Sequence, residues 1–254
     1  MALDEAIWQH ASAGDERLTL RFYACQPACL SISLEQEWDV VDLARCRELG
    51  WDVTRRPTPG RAILHADDVA YACIIPAGHL LAAGGPAGAY PRLAEGLFAG
   101  LRALSLDPGR ARPVYQDAGP QGAAAFDGPA EMDIAVGQRK LASNSAVRDE
   151  GGAILFQGSL LLAGEGGRIA EGLLFDWPGQ RTALVVRLGY RATSLEKATG
   201  RPIAWEECVR ALAHGLAAAL EVEWQTDAPS RAETALAQQL TAGKYANLEW
   251  LKLR

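Results

Sequence analysis

Two adjacent arginines, a threonine hydroxyl, a glycine and a histidine fall within Arg55-Arg56-Pro57-Thr58-Pro59-Gly60-Arg61-Ala62-Ile63-Leu64-His65. A pair of guanidiniums can hold an anion through forked, charge-assisted hydrogen bonds. The glycine lets the backbone approach a ligand closely. A second stretch, Asp133-Ile134-Ala135-Val136-Gly137-Gln138-Arg139-Lys140, adds a lysine. Lysines are scarce here: Lys140, Lys197, Lys244 and Lys252 are the only ones among 25 basic residues, which singles out a mid-chain lysine. An anion-holding turn and a lone cation together point to chemistry on an activated carboxylic acid.

The elements that must position these groups follow from periodicity. The 254 residues suffice for one large domain. Residues 2–12 carry Leu3, Ile7 and Ala11 at helical spacing. Leu18–Tyr23 alternates like a half-buried strand, and Val69–Ile75 is an apolar strand. Helices are predicted at 39–49, ended by Gly50, and at 92–104, with Leu93, Leu97, Leu101 and Leu104 on one face. Residues 107–130, rich in Pro, Gly and Ala, read as a long loop over the site. Strands are predicted at 133–136, 153–156, 159–163 and 182–188, and Gly164-Glu165-Gly166-Gly167 reads as a hairpin turn. Cys208, Leu212, Leu216 and Leu220 mark a buried helical stripe. Ser230-Arg231-Ala232-Glu233 is a capping box, with Gly243 closing the last helix. The pattern predicts one α+β domain over 1–254 with mixed, largely antiparallel sheets flanked by helices.

Composition excludes some classes. A net charge of −6 argues against a broad nucleic-acid surface. No apolar run reaches membrane-spanning length, and the N-terminus lacks a signal-peptide layout, so a cytoplasmic location is predicted. Five cysteines at 25, 29, 46, 73 and 208 and four histidines at 10, 65, 79 and 214 show no metal spacing; no metal site is predicted and the cysteines are read as packing residues. There is no G-x-S-x-G elbow and no G-x-x-x-x-G-K-[ST] phosphate loop. His65 is read as structural, and Trp205 and Trp250 as packing helices onto the sheet.

The motifs resemble the lipoate–protein ligase and octanoyltransferase family, which shares its catalytic fold with biotin–protein ligases. RRPTPGRAILH is similar to the family's R-R-x-T-G-G-x-A-[VI]-x-H, QRKLASNSAVR to its lysine motif, and FQGSLLL to its H-G-[ST]-L. ALDEAI near the start and KYANLEW near the end resemble the family's first helix and closing element. The resemblance implies a ligase that adenylates lipoate or octanoate with Mg-ATP. The acyl group then passes to a lysine of a lipoyl domain, such as glycine-cleavage H protein or a 2-oxoacid dehydrogenase subunit. Lys140 is implied as the catalytic cation over the carbonyl. Arg55, Arg56, Thr58, Gly60, Arg61, Ala62, Asp133, Gly158 and Ser159 are implied as the acyl-adenylate site, with Asp133 near both adenine and lysine.

Three departures set alternatives beside the ligase. The family's transferases place a cysteine nucleophile in a C-F-x-x-P-S segment; here Ala125-Phe126-Asp127-Gly128-Pro129-Ala130 stands there. Alanine cannot form a thioester. Pro59 replaces the first glycine of a pair and removes an N–H. Ser143 and Ser145 follow the lysine where glycine and alanine are usual, and Gln157 replaces a histidine. The alternatives are an octanoyltransferase drawing on acyl carrier protein but lacking its cysteine, and a non-catalytic acyl- or carrier-binding homologue. No C-terminal accessory domain is predicted within the chain, and a separate one remains an open partner.

Overall fold

The computed structural model describes residues 1–112 and 122–253. Helix α1 (Ala2–Ser12) and strand β1 (Thr19–Tyr23) are followed by a small sheet of β2 (Cys29–Ile32), β3 (Asp52–Arg55) and β4 (Ile63–His65), in the order β3-β2-β4. β2 runs parallel to β3 and antiparallel to β4. A parallel pair needs a crossover, which α2 (Leu43–Glu48) supplies. The Asp42 carboxylate caps α2 by accepting from Arg45 N–H, and Gly50 ends the turn at φ 69°.

The large sheet adds β5 (Asp68–Ile75), β6 (Pro108–Arg110), β7 (Ile134–Val136), β8 (Arg139–Arg148) and β9 (Ile154–Leu161) to β1, in the order β1-β5-β9-β8-β7-β6, with every pairing antiparallel. Strand alternation sorts β5 onto two cores. Val69, Tyr71, Cys73 and Ile75 face α3 (Gly85–Ala103) and the later α6 (Trp205–Leu220), while Ala72 and Ile74 meet Ile7 and Ala11 of α1. α3 and α6 approach backbone to backbone: a Cβ on Gly215 would lie 2.2 Å from Gly96 O, and one on Gly100 2.7 Å from Ala211 O.

Between these lie α4 (Pro178–Arg191) and α5 (Leu195–Thr199); α7 (Arg231–Leu240) and α8 (Leu248–Leu251) close the chain. The Ser230–Glu233 capping box opens α7 as predicted. The α+β class with antiparallel sheets flanked by helices is the observed one. Several local expectations are corrected. Residues 182–188 are helix, inside α4. The strands predicted at 153–156 and 159–163 are one strand, β9. Gly164 and Gly166 take positive φ but lead into a 3-10 turn at Gly167–Glu171, not a hairpin partner. Gly243 sits inside a π turn, Thr241–Tyr245, that carries the chain on to α8. Within the 107–130 loop, Pro108–Arg110 is strand and Ala125–Asp127 a 3-10 turn, while 113–121 lie outside the described residues. No described helix is long and apolar enough to cross a membrane.

Candidate active site

The turn that follows β3 is built around one guanidinium. Arg56 donates through one Nη to Ser31 O (3.2 Å) and Ser31 Oγ (3.4 Å), and through the other to Pro59 O (3.3 Å) and Arg61 O (2.7 Å). It is buried, and burial pushes its pKa down to about 10. Among the described residues no carboxylate pairs with it, so its charge is met by backbone carbonyls and the Ser31 hydroxyl. Gly60, at φ 118°, closes the turn, and a Cβ there would lie 3.0 Å from the Arg56 Nη2. Gly60→Ala therefore combines a left-handed backbone with a crowded guanidinium. Strain of this kind costs about 1–3 kcal/mol, and we expect a matching fall in thermal stability, measurable by scanning calorimetry.

Arg55 is placed elsewhere. It is fully buried and donates to the carbonyls of Ser33, Leu34, Gln36, Trp250 and Leu251. Consecutive residues leaving a strand point to opposite faces, so the two adjacent arginines do not converge on one anion. Arg55 ties the C-terminal helix to β3, and Trp250 Nε1 returns a hydrogen bond to Arg55 O at 2.8 Å.

The end of the turn pairs with the segment that carries Ala125. Ala62 N donates to Ala123 O (2.9 Å), and Ala125 N donates to Ala62 O (2.8 Å). Lys140 reaches the same segment from below. A bulge shifts the β7–β8 register, pairing Ile134 with Ala142 but Ala135 with Lys140. Leu141 and Ala142 then both enter the core, and Lys140 turns toward residues 125–128. Its Nζ donates to Ala125 O (2.6 Å) and Gly128 O (3.3 Å) and pairs with Asp133 Oδ2 at 2.5 Å. Three oxygen acceptors around one nitrogen require three N–H donors, hence the ammonium form. Phe126 adds its ring face, 5.3 Å from Nζ. Burial lowers the Lys140 pKa from the ordinary lysine range, and the Asp133 carboxylate opposes that shift. Asp133 is itself held by Ala130 N (2.6 Å) and Asn144 N (3.2 Å). Burial pushes it up from the usual carboxylate range against the pull of Lys140.

Arg61 is the guanidinium with donors left over. Its side chain has no hydrogen-bond or ion-pair partner among the described residues, and it lies against Gly128, whose added Cβ would be 3.4 Å from Arg61 Nη1. Arg61 and Lys140 thus meet the 125–128 segment, Arg56 is near enough for its charge to act on Lys140, and Asp133 is the carboxylate bonded to Lys140. The site is electropositive on a chain whose net charge is −6. Apolar Leu64, Ala124, Phe126, Leu161 and Ile169 line a cavity behind the segment.

Thr58, Gly158 and Ser159 are buried away from Lys140's contacts. Thr58 Oγ1 donates to Gln157 Oε1 (2.9 Å), and Gln157 Nε2 donates to Asp4 Oδ2 (2.9 Å). Gly158 makes room for Tyr71 and Asn144, which would lie 2.2 and 2.4 Å from an added Cβ. Ser159 Oγ donates to Asp68 Oδ2 (2.6 Å), which also meets His65 Nδ1 (2.8 Å); His65 Nε2 lies 3.1 Å from Ser31 Oγ. His65 is therefore a link between Asp68 and the serine that holds Arg56.

One functional residue escaped sequence reasoning. Asp127, almost fully buried, accepts from Arg187 through both oxygens (2.9 Å each) and from Arg191 (3.0 Å), and takes Gly122 N (3.2 Å). It pins the Ala125 segment to α4. The signal was the four-residue spacing of Arg187 and Arg191, one face of a helix. All five cysteines have thiols raised by burial, Cys29, Cys73 and Cys208 to about 12, so none is activated as a nucleophile.

Residues 1–217 match the family model described as the lipoyl protein ligase A/B catalytic domain. An octanoyltransferase LipM from Moorella thermoacetica is 33% identical over 262 residues, covering 100% of this chain and 93% of that one. The LipM of Symbiobacterium thermophilum is 34% identical, covering 98% and 92%. Among solved structures, the bipartite lipoate protein ligase of Thermoplasma acidophilum, studied with its E2 lipoyl domain, superposes with a TM-score of 0.80 at 22% identity, covering 100% and 91%. A lipoate-protein ligase A bound with ATP gives 0.78 at 23%, covering 100% and 93%. These structures share the fold; the curated relatives share the sequence.

Proposed function

The chain belongs to the lipoyl protein ligase A/B catalytic-domain family, a family of acyl-transferring enzymes, and we propose that it is an octanoyltransferase that works without a cysteine nucleophile. The ATP-dependent ligase, placed first from motifs alone, moves to second place because the relatives matched along the whole chain are named octanoyltransferases. The observation that carries the reading is the hydrogen bond from Lys140 Nζ to Ala125 O at 2.6 Å. It sets a fixed cation beside the position where the family's transferases carry their thiol.

The proposed donor is octanoate held as a thioester on acyl carrier protein. The acceptor is a lysine of a lipoyl domain, either glycine-cleavage H protein or a 2-oxoacid dehydrogenase subunit. With alanine at 125 the acyl group passes in one step. The acceptor amine attacks the thioester carbonyl, the C–N bond forms and the C–S bond breaks. The amine's proton ends on the departing sulfur. Lys140 stabilises the developing oxyanion after the carbonyl displaces its longest contact, Gly128 O at 3.3 Å. Arg61, whose donors are unpaired among the described residues, assists in holding the anionic arm of the donor.

The test is intact-mass spectrometry of an apo lipoyl domain incubated with this protein and octanoyl carrier protein. The expected result is an octanoyl increment that needs no ATP, with no acyl adduct on the enzyme. Ala125→Cys is expected to add a trapped octanoyl thioester. An increment that instead requires free acid and Mg-ATP would establish the ligase, a reading that Ala125 itself favours because adenylation needs no thiol. No increment under either condition would leave the non-catalytic homologue.

A further inference from the structure

The last turn of α4 and the two residues after it hold both sides of the Lys140 contact. On one side, Ala192 forms a parallel bridge with Lys140, and Thr193 N donates to Lys140 O at 2.9 Å. On the other, Arg187 meets Asp127 as a two-bond fork, Nε to Oδ1 and Nη2 to Oδ2, each 2.9 Å. Arg191 adds bonds from Nη1 to Oδ1 at 3.0 Å and to Asp127 O at 2.5 Å. Residues four apart share a helical face, so one rigid element presents both guanidiniums to one carboxylate.

Asp127 sits between the two carbonyls that Lys140 holds, Ala125 O at 2.6 Å and Gly128 O at 3.3 Å. The segment is fastened differently on its two sides. Up to residue 125 it pairs with Ala62 through Ala123 O and Ala125 N, and Gln36 Nε2 donates to Ala123 O at 2.9 Å. From 126 to 129, the hydrogen bonds that reach it from other elements among the described residues are those of Lys140 to Gly128 O and of the two arginines to Asp127. The Asp127 side is buried, where such charge-assisted bonds are stronger than in water.

We propose that Asp127 is a positioning residue for acyl transfer: clamped by Arg187 and Arg191, it sets where Ala125 O and Gly128 O stand relative to Lys140 Nζ. This rests on the transferase reading for the reaction it serves. Gly128 O is the contact that the donor carbonyl displaces, so its place decides how well the developing oxyanion meets the ammonium. Without the clamp, the nitrogen that must receive the oxyanion also has to hold the chain. Asp127→Asn keeps the size of the side chain but turns an N–H toward an arginine donor, so the fork cannot close.

The experiment puts a thiol into the segment with Ala125→Cys and follows its alkylation by iodoacetamide against pH, with and without Asp127→Asn. A thiol beside a fixed cation ionises at lower pH than a free one. Removing the Asp127 charge alone would move the alkylation midpoint further down, whereas drift of the segment away from Lys140 moves it up. The expected result is a rise of about one pH unit. With alanine kept at 125, Asp127→Asn is expected to slow single-turnover octanoyl transfer by about 10–100-fold with KM unchanged. Arg187→Gln, at a part-exposed helix position that preserves the fold, should slow transfer in the same way, and the double variant should be no slower than the slower single one. Arg181→Ala, on the same helix but over the Phe175 ring, should change neither readout. A midpoint that falls or stays put overturns the clamp, and so do losses that add in full in the double variant. If the midpoint rises while even the wild type transfers no octanoyl group, the clamp stands and the transferase reading falls.

Discussion

Replacing Lys140 by alanine is expected to slow acyl transfer by about 10²–10³-fold, the usual loss when one oxyanion donor is removed. The substitution also strands Asp133, which is buried and pairs with Lys140 at 2.5 Å. An unpaired buried carboxylate destabilises a fold by about 3–5 kcal/mol, so slow transfer by the single variant mixes two effects. The double variant Lys140→Ala, Asp133→Ala separates them. It should recover much of the lost thermal stability while remaining as slow as the single variant. A double variant that regains transfer would show that Lys140 only neutralises Asp133. The pH dependence gives a second readout. The active species is the ammonium, and burial lowers its pKa below the ordinary lysine value of 10.5. A lowered pKa means that the charge is lost at lower pH than on an exposed lysine. The single-turnover rate should therefore fall on the alkaline side below that value. Lys140→Arg, which does not deprotonate in this range, should abolish that falling limb even if its rate is reduced.

How far the sequence could be read depended on whether one residue's neighbours in the chain were also its neighbours in space. α1 and α6 were legible because each carries an apolar stripe at helical spacing, and β5 because an unbroken apolar run suits a strand buried on both faces. Lys140 was legible because lysines are rare here and the surrounding motif is familiar. Residues 182–188 were not. Leu184-Val185-Val186 resembles a strand in a short window, and the helical signal lies in the longer 184–191 pattern, where Leu184 and Leu188, and Arg187 and Arg191, recur at four-residue spacing. The division of labour among the arginines was half legible. Adjacent residues on extended chain face opposite ways, which already argues that Arg55 and Arg56 serve different sides. Nothing local says that the partners of Arg55 are carbonyls nearly two hundred positions away. Asp127 was hidden for the same reason, since its meaning depends on Arg187 and Arg191, sixty and more positions on.

That division of labour predicts a large loss of stability when Arg55 is removed. Arg55 joins three segments, residues 33–36, β3 and residues 250–251, through one planar fork. Without the guanidinium, Gln36 O and Leu251 O lose bonds of 2.6 and 2.7 Å, and Ser33 O loses one of 2.7 Å and keeps only Gln36 N at 3.4 Å. Each buried carbonyl left unsatisfied costs about 1–3 kcal/mol. Arg55→Met, which keeps much of the volume, should therefore lose about 3–5 kcal/mol after local relaxation. For a chain of this length that lowers Tm by about 10 °C or more. Arg55→Lys should recover little, because three donors on a flexible stem cannot reproduce a fork that spans both sides. Limited proteolysis should show α8 released first, since Trp250 Nε1 loses its well-placed acceptor when β3 loosens. If Arg55→Met melts within a few degrees of the wild type and keeps α8 protected, the fork is not what fastens the C-terminus.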